Sequence, residues 1–116
     1  MPMQINKDEQ HGQYVIQRYE NGKVTINDVV YTQNLILSAR VLIENWEARD
    51  FSPILSLKPE VVILGTGTTL VFPELALLQP FYKQHIGVEV MDSAAACRTF
   101  NVLMAEDRNA VVALIV

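Results

Sequence analysis

Val61-Val62-Ile63-Leu64 is a short, unbroken apolar run rich in β-branched residues, the pattern of a strand covered on both faces. It gives way at Gly65-Thr66-Gly67. Pro73-Glu74-Leu75 then opens a helix predicted to run to about His85, with a proline start and an early glutamate suited to the helix dipole. Leu75, Leu78, Phe81 and Tyr82 recur at three- and four-residue spacing and mark its core face, while Pro80 is expected to kink or divide it. Gly87-Val88-Glu89-Val90-Met91 reads as the next strand, and Asp92 as the N-cap of an alanine-rich helix over residues 93–106. Ala96, Phe100, Leu103 and Met104 share one face of that helix. Asp107-Arg108-Asn109 turns the chain into a final apolar strand over residues 110–116. Strand, helix, strand, helix, strand in this order predicts parallel pairing with right-handed crossovers. Residues 61–64, 88–90 and 111–115 should therefore share one sheet, with both helices packed on it through Leu75, Leu78, Ala96, Phe100 and Leu103.

The first half of the chain has a different period. Tyr14-Val15-Ile16-Gln17-Arg18-Tyr19 follows a polar arm over residues 1–12, and Asn21-Gly22 after it is a strong hairpin turn. Val24-Thr25-Ile26 alternates sides, Asn27-Asp28 offers a second turn, and Val29-Val30-Tyr31 and Leu35-Ile36-Leu37 follow. The first forty-odd residues thus read as antiparallel sheet, which Val41, Ile43 and Trp46 extend or leave. Ser52-Pro53 has the form of an N-cap followed by proline at the first helical position, and Pro59 limits that helix to one or two turns. The whole is one α/β domain over residues 1–116, with antiparallel hairpins N-terminal and β-α-β-α-β C-terminal.

Three segments in series carry a resemblance: Val62-Ile63-Leu64-Gly65-Thr66-Gly67, then Gly87-Val88-Glu89-Val90-Met91-Asp92, then Ala94-Ala95-Ala96-Cys97-Arg98-Thr99-Phe100-Asn101-Val102-Leu103. With them the chain resembles, over nearly its whole length, the Mth938-like family, a domain of unknown function. The eukaryotic members of that family include a mitochondrial assembly factor of respiratory complex I. The resemblance implies a three-layer α/β domain with a mixed central sheet. It implies no reaction, and it brings no catalytic residue to any position of this sequence. The chain lacks the Arg-rich, acid-poor leader of an imported protein, so an organellar assembly role is not expected.

Composition narrows the classes further. With 116 residues, half of them apolar, there is material for one hydrophobic core. A net charge of −4 with 19% charged residues leaves no surplus of lysine and arginine to line a phosphate backbone, so nucleic acid is not an expected partner. The lone Cys97 forms no intramolecular disulfide, and the polar N-terminus is unlike a signal peptide, so a cytoplasmic protein is expected. The longest apolar runs fall far short of the roughly 20 residues that span a bilayer, and membrane insertion is not expected.

Candidate chemistry gathers at two loops. Gly65-Thr66-Gly67-Thr68-Thr69 has the glycines and hydroxyls to cradle an anion, and its plain alternative is a tight strand-to-helix turn. The dinucleotide fingerprint needs a third glycine where this chain has Leu70, so no cofactor is expected, although Glu89 lies about 20 residues on, near a ribose-binding position. Ser93, Cys97 and Asn101 form a stripe along the last helix, beside Asp92 and Arg98. A nucleophilic Cys97 needs a base, and the histidines are His11 in the polar arm and His85 at the end of the preceding helix. One cysteine and two distant histidines match no metal spacing. Trp46 between Asn45 and Glu47 is either core or an exposed anchor for another protein.

Two functions stay open. The main expectation is a non-enzymatic binding or assembly protein that recognises another protein through the sheet edge, the Trp46 region or the 65–72 loop. The alternative is a small polar-ligand-binding domain or enzyme. Its site would be a crevice outside the carboxyl ends of the first two parallel strands, where Gly65, Thr66, Gly67 and Thr68 face Asp92, Ser93 and Arg98. Homo-oligomerisation is compatible with either.

Overall fold

A computed structural model describes residues 13–116, so the polar arm expected over residues 1–12 lies outside the described residues. The chain forms β1 (Ile16–Glu20), β2 (Lys23–Ile26), β3 (Val29–Tyr31), β4 (Leu35–Leu37), β5 (Leu42–Glu44), α1 (Ser52–Ser56), β6 (Val61–Gly65), α2 (Leu75–Lys83), β7 (Gly87–Met91), α3 (Ser93–Ala105) and β8 (Ala110–Leu114). The central sheet has the order β5-β4-β8-β6-β7. Its β8-β6-β7 part is parallel, as the C-terminal alternation predicts, and β4 pairs antiparallel with both β8 and β5. The fold is an α/β domain with a mixed sheet.

Period-two alternation sorts the core into two layers. Leu35 and Leu37, Ile63, and Val112 and Leu114 face one way, where they meet Ala96, Cys97, Phe100 and Met104 of α3 and Ile16, Val24 and Ile26 of β1 and β2. Ile36, Val62, Leu64, Val111 and Ala113 face the other way, against Ile54 of α1 and Leu78 and Phe81 of α2. The chain steps from β6 outward to β7 through α2, then back past β6 to β8 through α3. Reversing direction while keeping crossovers right-handed requires the two helices to lie on opposite faces, and they do.

The N-terminal antiparallel region divides. β1, β2 and β3 form their own three-stranded sheet, whereas β4 and β5 join the central one, because the all-buried Leu35-Ile36-Leu37 needs cover on both faces and only the central sheet gives it. Asn27 and Asp28 both take positive φ in the β2-β3 turn, whereas at Asn21-Gly22 only Gly22 does. Ser52 does not cap α1. It is the first helical residue, and Asp50 Oδ1 accepts hydrogen bonds from its N–H at 3.1 Å and its hydroxyl at 2.7 Å. α2 begins at Leu75, with Glu74 as its N-cap, and runs through Pro80 as one helix. Leu75 and Tyr82 are exposed rather than core, since Leu78 and Phe81 already fill the space under this short helix. Trp46 is buried, stacked on Phe51, which in turn packs on Phe81.

Phe100 is fully buried between α3 and the sheet. Phe100→Ala should cost about 3–5 kcal/mol of stability in denaturant melts, the range of large-to-small changes in a closed core. A loss under about 1 kcal/mol would show that this face is loosely packed.

Candidate functional site

Everything that follows β6 hangs on one close approach. Gly65 ends the strand so near α3 that a Cβ there would stand 2.8 Å from Leu114 Cδ2, 3.0 Å from Ala96 Cβ and 3.0 Å from Ser93 Oγ. Gly67 takes φ +94°, a backbone shape that L side chains rarely adopt. Ser93, fully buried at the start of α3, ties the loop after β6 to the segment after β8. Its hydroxyl donates to Ile115 O at 2.7 Å and accepts the Gly67 N–H at 2.8 Å, while its own N–H donates to Gly67 O at 2.8 Å. Asp92 caps α3 by accepting the Ala95 N–H at 2.8 Å.

Of the sequence-derived residues, Gly65, Gly67 and Ser93 are brought together, but with their polar groups turned on each other. Gly67 N–H and the Ser93 hydroxyl satisfy one another. The Thr66 hydroxyl donates to Thr69 O at 2.6 Å and accepts the Val71 N–H at 3.1 Å, which folds the loop back on itself. Thr68 is exposed on the loop. Arg98 stands apart from the loop, on the lining of a separate hollow of about 210 Å³ between β1 and α3, with Tyr19, Cys97 and Asn101. Asn101 clamps β1 there, accepting the Ile16 N–H at 3.2 Å and donating to Ile16 O at 2.7 Å. The Tyr19 hydroxyl is buried with no hydrogen-bond partner among the described residues. Burial pushes the Cys97 thiol up to about 12, so the thiolate is not populated near neutrality. No group of three or more metal-ligating side chains occurs among the described residues.

A larger opening lies on the other face of the same loop. Between residues 46–51 and the segment 71–77, beyond the carboxyl ends of β6 and β8, is a cleft of about 330 Å³. Trp46, Phe51, Leu64, Leu77, Ala113 and Ile115 are among its apolar walls. The Trp46 indole N–H donates to Asp50 O at 2.8 Å, which fixes one wall, and Arg49 meets Glu74 across the mouth at 3.1 Å. Val71 and Phe72 line its outer side, with Leu70 before them and Leu75 after them in the chain, all at least half exposed and Phe72 69% exposed. Sequence reasoning singled out Trp46 and the 65–72 loop separately. It did not join them, because their meeting depends on β8 lying between β4 and β6. The one local signal was Leu70-Val71-Phe72, an apolar triplet in a turn where polar residues are the rule.

No helix among the described residues is long and apolar enough to cross a membrane. The family described as "Protein of unknown function (DUF498/DUF598)" matches residues 16–115. The "13 kDa major membrane protein" of Francisella tularensis subsp. holarctica is 28% identical over 92% of this chain and 94% of its own length. The NADH dehydrogenase (ubiquinone) 1 alpha subcomplex assembly factor 3 of Danio rerio is 45% identical over 48% of this chain, a stretch spanning 32% of that protein. Among solved structures, a Xanthomonas campestris protein superposes with a TM-score of 0.83 at 31% identity, covering 100% of this chain and 92% of its own. A Bordetella pertussis Mth938-like domain shares the fold, with a TM-score of 0.75 at 24% identity over 97% of this chain and 92% of its own.

Two outcomes test the site as built. Ser93→Ala strands the Gly67 N–H and deprives Ile115 O of its donor, so it should cost about 1–3 kcal/mol and speed amide exchange at Gly67. Unchanged exchange would mean the loop is held elsewhere. Native protein at pH 8 should leave Cys97 nearly unreacted with iodoacetamide while the denatured chain reacts readily, and equal rates would contradict the closed thiol.

Proposed function

The chain belongs to the DUF498/DUF598 family, and on that premise we propose that it is a non-catalytic binding domain that docks a segment of another polypeptide in the cleft between Trp46–Phe51 and the 66–74 loop. One observation carries the reading: Val71 and Phe72 line an apolar cleft and stand exposed there, with exposed Leu70 next to them in the chain. Such a contiguous apolar surface is costly to leave in water and marks a place of contact. One wall carries the stacked rings of Trp46 and Phe51, the residue type that anchors interfaces. The reading asks for no cofactor and no catalytic residue. A relative named as an assembly factor agrees with it, since assembly is the handling of polypeptides.

The polar groups of Gly65, Thr66, Gly67, Thr68, Asp92 and Ser93 have in this reading a different task. The Gly67 and Ser93 groups that would greet a ligand hold the loop against α3, and so set the height of the cleft's lip. The loop's outer, apolar side then meets the partner.

Peptide display on the immobilised protein tests the proposal. Selection should enrich sequences with aromatic or branched apolar anchors, and Phe72→Asp, a change at an exposed side chain, should weaken them at least about tenfold. Enrichment that is the same on wild type and Phe72→Asp would sink the docking site.

A further inference from the structure

We infer a second site, off the cleft: the hollow of about 210 Å³ between β1 and α3 binds the phosphate-monoester group of a small molecule through Arg18 and Arg98. No residue lining this hollow lines the cleft, so the two sites stand or fall separately. The lining carries two guanidinium groups and no carboxylate. In a chain whose formal charge is −4, two like charges facing one concave surface reverse the sign locally and focus an attractive field on an anion.

The fold brings the two arginines together. β1 is bulged between Ile16 and Arg18, where its register against β2 slips, and Ile16 and Tyr19, three positions apart, both pack into the α3 layer. Asn101 holds the bulged strand by both backbone groups of Ile16, at 3.2 and 2.7 Å. Ala94, Cys97, Arg98 and Asn101 follow at three- and four-residue spacing and so share the face of α3 beneath it.

Neither guanidinium is firmly committed. Arg18 reaches Glu20 only at 3.8 Å, Glu20 has Lys23 at 3.5 Å as a second partner, and an exposed contact of this kind contributes little and yields to a ligand. Arg98 is exposed and makes no ion pair among the described residues. Asp92, the acid at the start of α3, lies outside the lining and accepts the Ala95 N–H. Burial pushes the Tyr19 phenol above its ordinary range and the Cys97 thiol up to about 12, so both stay neutral and leave the two positive charges unopposed.

Two charges favour a dianion. Guanidinium forks match phosphate oxygens, and a phosphate monoester carries close to two negative charges at neutral pH, whereas a monocarboxylate leaves one guanidinium unbalanced. Size limits the rest of the ligand. The hollow is smaller than the roughly 300–1,000 Å³ of sites for drug-sized ligands, so the phosphate is carried on a short carbon chain.

Amide NMR of the full chain at fixed ionic strength tests the site. Glycerol 3-phosphate should shift the amides of residues 16–19 and 94–101 saturably and leave those of the cleft residues Trp46 and Val71 in place. Arg18→Gln and Arg98→Gln, both at exposed side chains, should each weaken it at least about fivefold, against under about twofold for Arg40→Gln, an exposed arginine off the hollow. Affinity should rise between about pH 5.5 and 7.5 as the phosphate loses its second proton, while sulfate, a dianion throughout, holds its own. Acetate or succinate binding as tightly as glycerol 3-phosphate, or an equal pH change for sulfate, would overturn the phosphate assignment. Tighter binding of a phosphoserine peptide or of phosphatidic acid vesicles would overturn the small-molecule assignment. No saturable shift at the hollow, or an equal loss from Arg40→Gln, would remove the site and leave the cleft untouched.

Discussion

The structure depends on how closely α3 can approach the end of β6. Only a glycine at position 65 leaves room for Leu114, Ala96 and Ser93 to meet over the strand, and this contact brings the Ser93 hydroxyl within reach of both the Gly67 N–H and Ile115 O. A larger residue at 65 would lift α3 and separate those partners. The three segments joined there are far apart in sequence: the loop after β6, the start of α3 and the chain's last residues. One buried hydroxyl therefore sets the loop's path, and through it the shape of the cleft on the opposite face. Lying outside the cleft's lining does not make Ser93 incidental, because it holds the loop that forms one of the cleft's walls.

Much of this was legible in the sequence where local and global signals agree. The unbroken apolar β6 and β8 announced strands covered on both sides, and the two helices between them demanded parallel pairing. Asp92 was legible as a cap because a short carboxylate before an alanine-rich run has one good use there, bonding the N–H three residues on. Asn27-Asp28 turned the chain as its chemistry allows, with both residues at positive φ. These features need only neighbours within a few residues.

The errors have the opposite character. Ser52 looked like a cap because serine before proline usually is one, but the helix starts one residue earlier and the Ser52 N–H and hydroxyl both donate to Asp50, so the hydroxyl is turned away from the N–H groups of the first turn. Leu75 fits the helical period and yet lies exposed, since periodicity fixes which face a residue shares and not how far the covering layer extends. The division of the antiparallel strands into two sheets was invisible for a similar reason. β4 goes to the central sheet because β8 offers it a partner, and the residues paired there, Leu37 with Val112 and Leu35 with Leu114, are 75 to 79 positions apart in the chain.

The loop after β6 was singled out for its glycines and hydroxyls, and these turned inward. Gly67 and Thr66 hold the loop's own shape, while the three residues that periodicity has no place for, Leu70, Val71 and Phe72, face out. The lesson is a matter of supply. A loop that spends its donors on itself has few left for a polar ligand, and if it then exposes apolar side chains, burial is the free energy it still has to gain. That gain grows with contact area and needs no exact geometry for a reacting atom, which is what a docking surface requires and an active site does not.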